Sequence, residues 1–268
     1  VNGSIERTSP GITLLPVAQA TRATFAGLYL ERTLLVFIRT GSKRVVCPIS
    51  GELVGQAGDV MIFPPGSMVT MENRPLVNDS YRADAVSLSH ELVSTVFSRH
   101  TVPPGPIGVQ VLRGTMHQPS AVFDLIKGTL EDRGGLPDAI YRHRLLEPLV
   151  WLQQAGVRLT VGSEDHPLAK VRRLIQTDLS HSWRVLEVAA HFGMSEASFR
   201  RWLSRSGLGF SGILSNSRLE HGLGLLQTTL DPISQIALEC GFKTPSHFSD
   251  AFRARFGITP RQIRSAAD

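Results

Sequence analysis

The stretch ISQIALECGFKTPSHFSDAFRARFGITP, Ile233 to Pro260, decides how the chain is read. It opens with an amphipathic helical pattern, Ile233, Ile236, Ala237 and Cys240 sharing one face. Gly241 interrupts it, and a second apolar stripe follows at Phe248, Phe252 and Phe256. A glycine between two short amphipathic helices is how a helix-turn-helix is built. Glycine takes the left-handed conformation at a helix end without a Cβ penalty, and the second helix then crosses the first steeply. Asp231 and Pro232 read as N-cap and first residue of the leading helix, and Thr259 and Pro260 repeat that device for a last one.

The arrangement occurs twice. VLEVAAHFGMSEASFRRWLSRSG (Val185–Gly207) places Val188, Ala189 and Phe192 on one stripe, then Gly193, then Phe199, Trp202 and Leu203 on the next, with Ser195 set to cap the second helix. FSGILSNSRLEHGLGLLQ (Phe210–Gln227) reads as one long helical connector between the copies. Such an internal repeat is more specific than either copy alone. If the connector spaces the second helices by roughly one duplex turn, about 34–36 Å, both enter major grooves on one face of DNA.

Charge agrees with this division. Residues 1–166 hold 15 Lys+Arg and 15 Asp+Glu, while residues 167–268 hold 13 and 8, so the net charge of +5 lies in the last 102 residues. A basic segment beside a neutral one fits a polyanion-binding module, though a solvated basic surface looks the same on charge alone.

The first ~115 residues read as short strands cut by Gly and Pro, the pattern of a small barrel or jelly roll. LLVFIRT (Leu34–Thr40) and KRVVCPI (Lys43–Ile49) flank Gly41-Ser42 and predict a hairpin; DVMIFPPG, SMVTM and YRADAVSL supply further strands. Two helical patterns trail them, at 121–133 (Val122, Leu125, Ile126, Leu130) and 138–154 (Ile140, Leu145, Leu149, Leu152, with Pro148 inside). These either form a dimer interface or cover the barrel. The expected class is therefore a two-domain α+β chain. It has a small-barrel or jelly-roll N-terminal domain (1–155), which the motif at Ala57–Val69 makes cupin-like by resemblance, a linker (156–166) and an all-α C-terminal domain (167–268) with two helix-turn-helix motifs.

The 268 residues, 42% of them hydrophobic, are enough for a real core, and two cysteines suit a reducing cytoplasm rather than a disulfide framework or zinc site. The longest apolar run, Leu34–Ile38, is too short to cross a bilayer, and the amino end lacks a signal-peptide pattern. Val1 in place of Met fits a native start further upstream. No nucleophile elbow, phosphate loop or HExxH occurs, and no His precedes His90, so a multi-His metal site cannot be assembled on the early strands. His90, Glu91 and His117 read as surface or capping residues. No cofactor and no enzymatic activity are expected. An enzyme with a borrowed DNA-binding tail, of the repair-methyltransferase kind, needs more cysteines than Cys47 in its first half. An architectural binder without sequence choice remains the other alternative.

Residues 167–268 resemble the DNA-binding domain of the AraC/XylS family of bacterial transcription regulators. The segments that carry the likeness are AAHFGMSEASFRRWL, SRLEHGLGLL and ISQIALECGFKTPSHFSDAFRARFGITPRQIR, and SHSWRVLEVA is similar to the enteric virulence-regulator branch. AGDVMIFPPGSMV (Ala57–Val69) resembles a cupin motif, with Val69 where metal-binding cupins carry His. The resemblance implies a cytoplasmic, non-membrane activator that binds double-stranded promoter DNA, recruits RNA polymerase, and senses an effector or dimerises through its first half.

Residue by residue, the resemblance makes Ala197, Arg200 and Arg201 the base-facing set of the first recognition helix, and Pro245, Ser246, His247 and Asp250 the matching positions of the second. Arg201 is the foremost candidate to read guanine in bidentate fashion; alternatively the adjacent Arg200 and Arg201 only bind phosphate. Asp250 stands where the family often has a basic residue; it accepts from a cytosine amino group or pairs with a neighbouring arginine. Ser195, Thr244, Arg253 and Arg218 are candidates for backbone contacts, Arg218 alternatively anchoring the connector internally. The phenylalanines and Trp202 sit at core spacing. Gly222 and Gly224 depart from the family's connector, through tight packing or flexibility. Some virulence-branch relatives bind fatty acids through paired basic side chains; Arg32, Lys43 and Arg44 lie in the corresponding early strands, but Gln227 stands where the second cation is needed.

Overall fold

The computed structural model describes residues 7–9, 11–98, 107–132, 135–159, 166–204 and 207–265. These fall into two compact units, one up to residue 159 together with Arg264 and Ser265, and one from residue 166 to Ile263. Among the described residues no helix is long and apolar enough to cross a membrane.

The first unit is a sandwich of two antiparallel sheets. One holds β1 (Arg7–Ser9), β2 (Ile12–Gln19), β9 (Tyr81–Leu88), β4 (Thr33–Thr40), β7 (Val60–Phe63) and β10 (Gln110–Leu112), in that spatial order. The other is ordered β3 (Ala23–Leu30), β8 (Ser67–Arg74), β5 (Ser42–Cys47), β6 (Gly51–Gln56). Side chains alternate between faces with period two. On β5 this buries Lys43, Val45 and Cys47 and turns Arg44 outward. Helices α1 (His90–Phe97), α2 (Gly114–His117), α3 (Pro119–Glu131) and α4 (Asp138–Gln154) complete the unit. Val122, Phe123 and Ile126 of α3 and Tyr141, Leu145, Leu149 and Leu152 of α4 join Leu35, Ile62 and Val86 of the sheet in one apolar core. The two trailing helices thus cover the sandwich. Val157 and Leu159, in the segment read from sequence as linker, are buried in the same core; residues 160–165 lie outside the described set.

Two expectations for this unit are corrected. The hairpin across Gly41-Ser42 does not form: β4 pairs with β7 and β9, whereas β5 pairs with β6 and β8 in the other sheet. Gly41 is a corner between sheets, with φ of 79° and its Cα so close to the Arg74 carbonyl that a Cβ would stand 2.4 Å from that oxygen. A Gly-Ser pair between apolar runs signals a sharp turn, but strand pairing decides whether the turn closes a hairpin. Ile140 does not face the core either; it is 48% exposed. The buried stripe runs Tyr141, Leu145, Pro148/Leu149, Leu152, and Ile140 lies one residue out of phase with it.

The second unit is all helical: α5 (Pro167–Gln176), α6 (Val185–His191), α7 (Glu196–Leu203), α8 (Phe210–Thr228), α9 (Ile233–Glu239), α10 (Pro245–Phe256) and α11 (Pro260–Arg264). Phe199, Phe248 and Phe252 are fully buried, each contributing about 1.5–3 kcal/mol by leaving water. They are core, as their spacing predicts. Helix α9 begins at Ile233 with Pro232, not Asp231, at the N-cap position and no side-chain cap. The first helical hydrogen bond runs from the Ile236 amide to the Pro232 carbonyl, which shifts the start by one residue. The α11 start is as expected: Gln262 Oε1 accepts from the Thr259 amide at 3.0 Å while its own amide donates to the Thr259 hydroxyl at 3.4 Å, a reciprocal cap.

Candidate nucleic-acid interface

Both helix-turn-helix turns are built on left-handed glycines, Gly193 at φ 66° between α6 and α7 and Gly241 at φ 76° between α9 and α10. Both second helices carry a side-chain cap: Ser195 Oγ accepts from the Ser198 amide at 3.3 Å, and Thr244 Oγ1 from the His247 amide at 3.2 Å. Each cap satisfies one leading amide, and both helix starts are exposed.

On α7 the buried stripe is Phe199 and Leu203, so Ala197, Ser198, Arg200 and Arg201 form the solvent face. Arg200 is committed to Glu196 one turn earlier, Nε at 2.8 Å and Nη2 at 2.5 Å. Arg201 is exposed and has no ion pair among the described residues. On α10, Phe248, Phe252 and Phe256 take the inner face and Pro245, Ser246, His247, Asp250 and Arg253 the outer. The His247 ring stands edge-on to Phe242, 5.3 Å between centroids. All seven side chains expected on the two recognition faces are thus solvent-exposed together with Arg253.

Arg218 is placed differently. Its Nε donates to the Leu179 carbonyl at 2.9 Å and its Nη2 to the His181 carbonyl at 2.8 Å. Gly241 packs on this joint, a Cβ there standing 2.3 Å from the Leu179 oxygen. The geometry is that of an internal anchor between the connector, the loop before α6 and the second turn, the alternative read for it from sequence. The connector glycines separate as well. A Cβ on Gly222 would stand 2.8 Å from the Phe248 ring, so tight packing accounts for it; Gly224 has open space around it.

The effector cations do not come together. Arg32 is exposed in the β3–β4 turn, and Arg44 lies outward in a bidentate pair with Glu52 (2.7 and 2.6 Å). Lys43 alone points between the sheets, 4% exposed. Its ammonium donates to Asn73 Oδ1, lies 3.6 Å from the Met71 sulfur and stands 5.3 Å over the Tyr81 ring. Asn73 Nδ2 in turn donates to Gln19 Oε1 at 2.8 Å. Burial, with no carboxylate to offset it, pulls the Lys43 amine from 10.5 down to about 7. Burial also pushes the Tyr81 phenol up, and its hydroxyl has no hydrogen-bond partner among the described residues. Sequence reading named Lys43 but not Gln19, Asn73 and Tyr81. Lys43 is named through the resemblance alone, with Arg32 and Arg44; its alternation with Val45 and Cys47 is the local signal that sets it apart from them, and the other three have none without knowledge of the facing sheet.

A helix-turn-helix domain family matches residues 188–266. The chain is 38% identical over 91 residues to the transcriptional regulator SirC of Salmonella typhimurium and 39% identical over 94 residues to the transcriptional activator AggR of Escherichia coli. Those matches cover 34% and 35% of this chain and 31% and 36% of the relatives, so the chain matches about a third of each curated relative's length. The crystal structure of unsaturated-fatty-acid-bound ToxT from Vibrio cholerae strain SCE256 superposes with a TM-score of 0.64 at 14% identity, covering 96% of this chain and 95% of ToxT. That likeness shows the two-domain fold, a β-sandwich followed by a helical domain. With the duplicated helix-turn-helix on the page, residues 188–266 carry a helix-turn-helix domain similar to those of bacterial transcription regulators such as SirC and AggR.

Proposed function

We propose that this protein is a sequence-specific transcriptional regulator that activates bacterial promoters from the cytoplasm, binding double-stranded DNA through α7 and α10 and contacting RNA polymerase there. The observation that carries the reading is two capped helices, each with a solvent-facing polar edge, mounted in one compact unit on a single connector. Activation is taken from relatives such as AggR. Arg201 is the base reader of the first helix. Ala197, Pro245, Ser246, His247 and Asp250 line the grooves; Arg200, Arg253 and the Ser195 and Thr244 caps set the register on the backbone. A gel-shift competition between duplex recovered by genome-wide capture and random DNA, at physiological salt, tests it. Equal affinity for both makes the protein an architectural binder instead.

The effector site of this proposal is the cluster of Lys43, Asn73, Gln19 and Tyr81 between the sheets, where the Lys43 ammonium has no ion pair among the described residues. A carboxylate supplies the opposite charge, and the matching ToxT structure is bound to an unsaturated fatty acid. Calorimetric titration with medium- and long-chain fatty acids is the check; no heat and no thermal shift removes the effector. The homodimer of the proposal uses the outer side of α4, where Ile140, Val150 and Trp151 are exposed.

A further inference from the structure

The connector α8 holds the helical unit together from two sides. Arg218 and Gly222, one turn apart, face the second turn and α10, as described above. Asn216 and Glu220, also one turn apart, occupy roughly the opposite side. The Glu220 carboxylate, with its side chain 10% exposed, accepts from Arg172 Nη2 of α5, whose side chain is 4% exposed. Its other oxygen lies 4.0 Å from Arg255 Nη2 of α10, and Arg255 Nε donates to Asn216 Oδ1 at 3.1 Å. Helix α5 packs on α7 and α8, and α10 packs on α8 and α9. One carboxylate is therefore hydrogen-bonded to a helix of the first half and in ion-pair range of an arginine on α10, which Asn216 of the connector also holds.

We infer that Glu220, held between Arg172 and Arg255, is a positioning residue that fixes the setting of the two recognition helices relative to each other. The inference rests on the proposed reading that both helices enter DNA. A buried ion cluster is a poor stabiliser, because desolvation offsets most of its attraction and apolar residues of equal size commonly do as well. What it supplies is direction. The Arg172–Glu220 and Arg255–Asn216 hydrogen bonds have a planar, directional geometry that an apolar contact lacks, and the 4.0 Å Arg255–Glu220 approach adds charge attraction across to α10. Two helices that must meet two grooves need a fixed spacing, since binding by linked modules collapses when the geometry forbids simultaneous engagement.

The test uses the full chain carrying spin labels at Ser204→Cys and Ala254→Cys, both exposed, with native Cys47 and Cys240 buried. Pulsed dipolar spectroscopy reads the distance distribution between α7 and α10 without DNA. Glu220→Gln is expected to broaden that distribution about twofold, and Arg172→Met/Glu220→Met to broaden it likewise while keeping the melting temperature near wild type. Duplex selected from a random-sequence pool with both half-sites is expected to bind either variant about tenfold more weakly, and a single half-site duplex within about twofold of wild type. A distribution as narrow as wild type in both variants overturns the inference, and so does loss of folding in both, since Glu220 is then a stability residue. Failure of the wild-type chain to select any duplex overturns the DNA reading instead, leaving the distance measurement to decide the positioning claim.

Discussion

Arg201 and Arg200 are neighbours in sequence and different in circumstance. The Glu196 carboxylate holds Arg200 along the helix, while Arg201 is exposed with no ion pair among the described residues. An arginine without an intramolecular partner enters a groove with no pair to break, so it can offer its fork to the two acceptors of guanine. Arg201→Ala is expected to weaken binding to the selected duplex by about 1–3 kcal/mol and to flatten the preference at one base pair, read by titrating duplexes with every substitution. Equal loss on random DNA assigns Arg201 to phosphate. Lys43 presents the opposite situation, a charge-bearing group inside. Its folded pKa of about 7 lies below its ordinary 10.5, so between those values the unfolded chain binds the extra proton and stability rises with pH. Urea midpoints of wild type and Lys43→Met, followed across that window, are expected to converge by about 3–5 kcal/mol as pH rises from 7 to 10.5. A saturating carboxylate ligand is expected to abolish that convergence, because its charge holds the ammonium in the folded state.

At the scale of elements the connector glycines make paired predictions. Gly224 has no neighbour within reach of a Cβ, so Gly224→Ala is expected to gain about 1 kcal/mol of helix stability. Gly222→Ala meets the fully buried Phe248 ring and is expected to lose about 1–3 kcal/mol despite the same propensity gain, in thermal or urea melts. Helix propensity was legible in the sequence at both positions; the difference was not, because it depends on which residue of α10 crosses above. The same boundary separates the rest. The duplicated helix-turn-helix was readable because its signals are local: a left-handed glycine, a cap and a 3.6-residue stripe. Sheet partners were not. The crossing at Gly41 and the meeting of Lys43 with Tyr81 depend on strands tens of residues apart, and nothing near Gly41 encodes which sheet β5 joins. The exposed Ile140 and Trp151 return to nearly the same side of α4 after three turns. If that side carries the homodimer, Trp151→Glu is expected to convert it to monomer in sedimentation at an unchanged melting temperature.

Over the whole molecule, the excess charge and the repeat coincide. The first 166 residues are neutral and the last 102 carry +5, so in the proposed function the electrostatic part of DNA association belongs to the helical unit. Phosphate contacts release counterions, and each one adds about 0.9 to the slope of log affinity against log salt on duplex DNA. Arg253 stands on the outer face of α10, one turn beyond Asp250, in a helix that otherwise presents no positive charge at its exposed start. If it contacts the backbone, Arg253→Ala weakens selected and random duplexes alike and lowers the slope by about 0.9. Asp250→Asn acts in the opposite sense on affinity. It removes a repelling charge from the groove, so random duplex binds more tightly, while the slope stays unchanged because no phosphate contact is made or lost. If Asp250 accepts from cytosine, the same variant also loses discrimination at one base pair. Salt titration of both variants on both duplexes thus separates a helix that reads sequence from one that holds the second groove by charge alone. A slope that Arg253→Ala leaves untouched places α10 away from the backbone and leaves the first helix-turn-helix to carry DNA binding by itself.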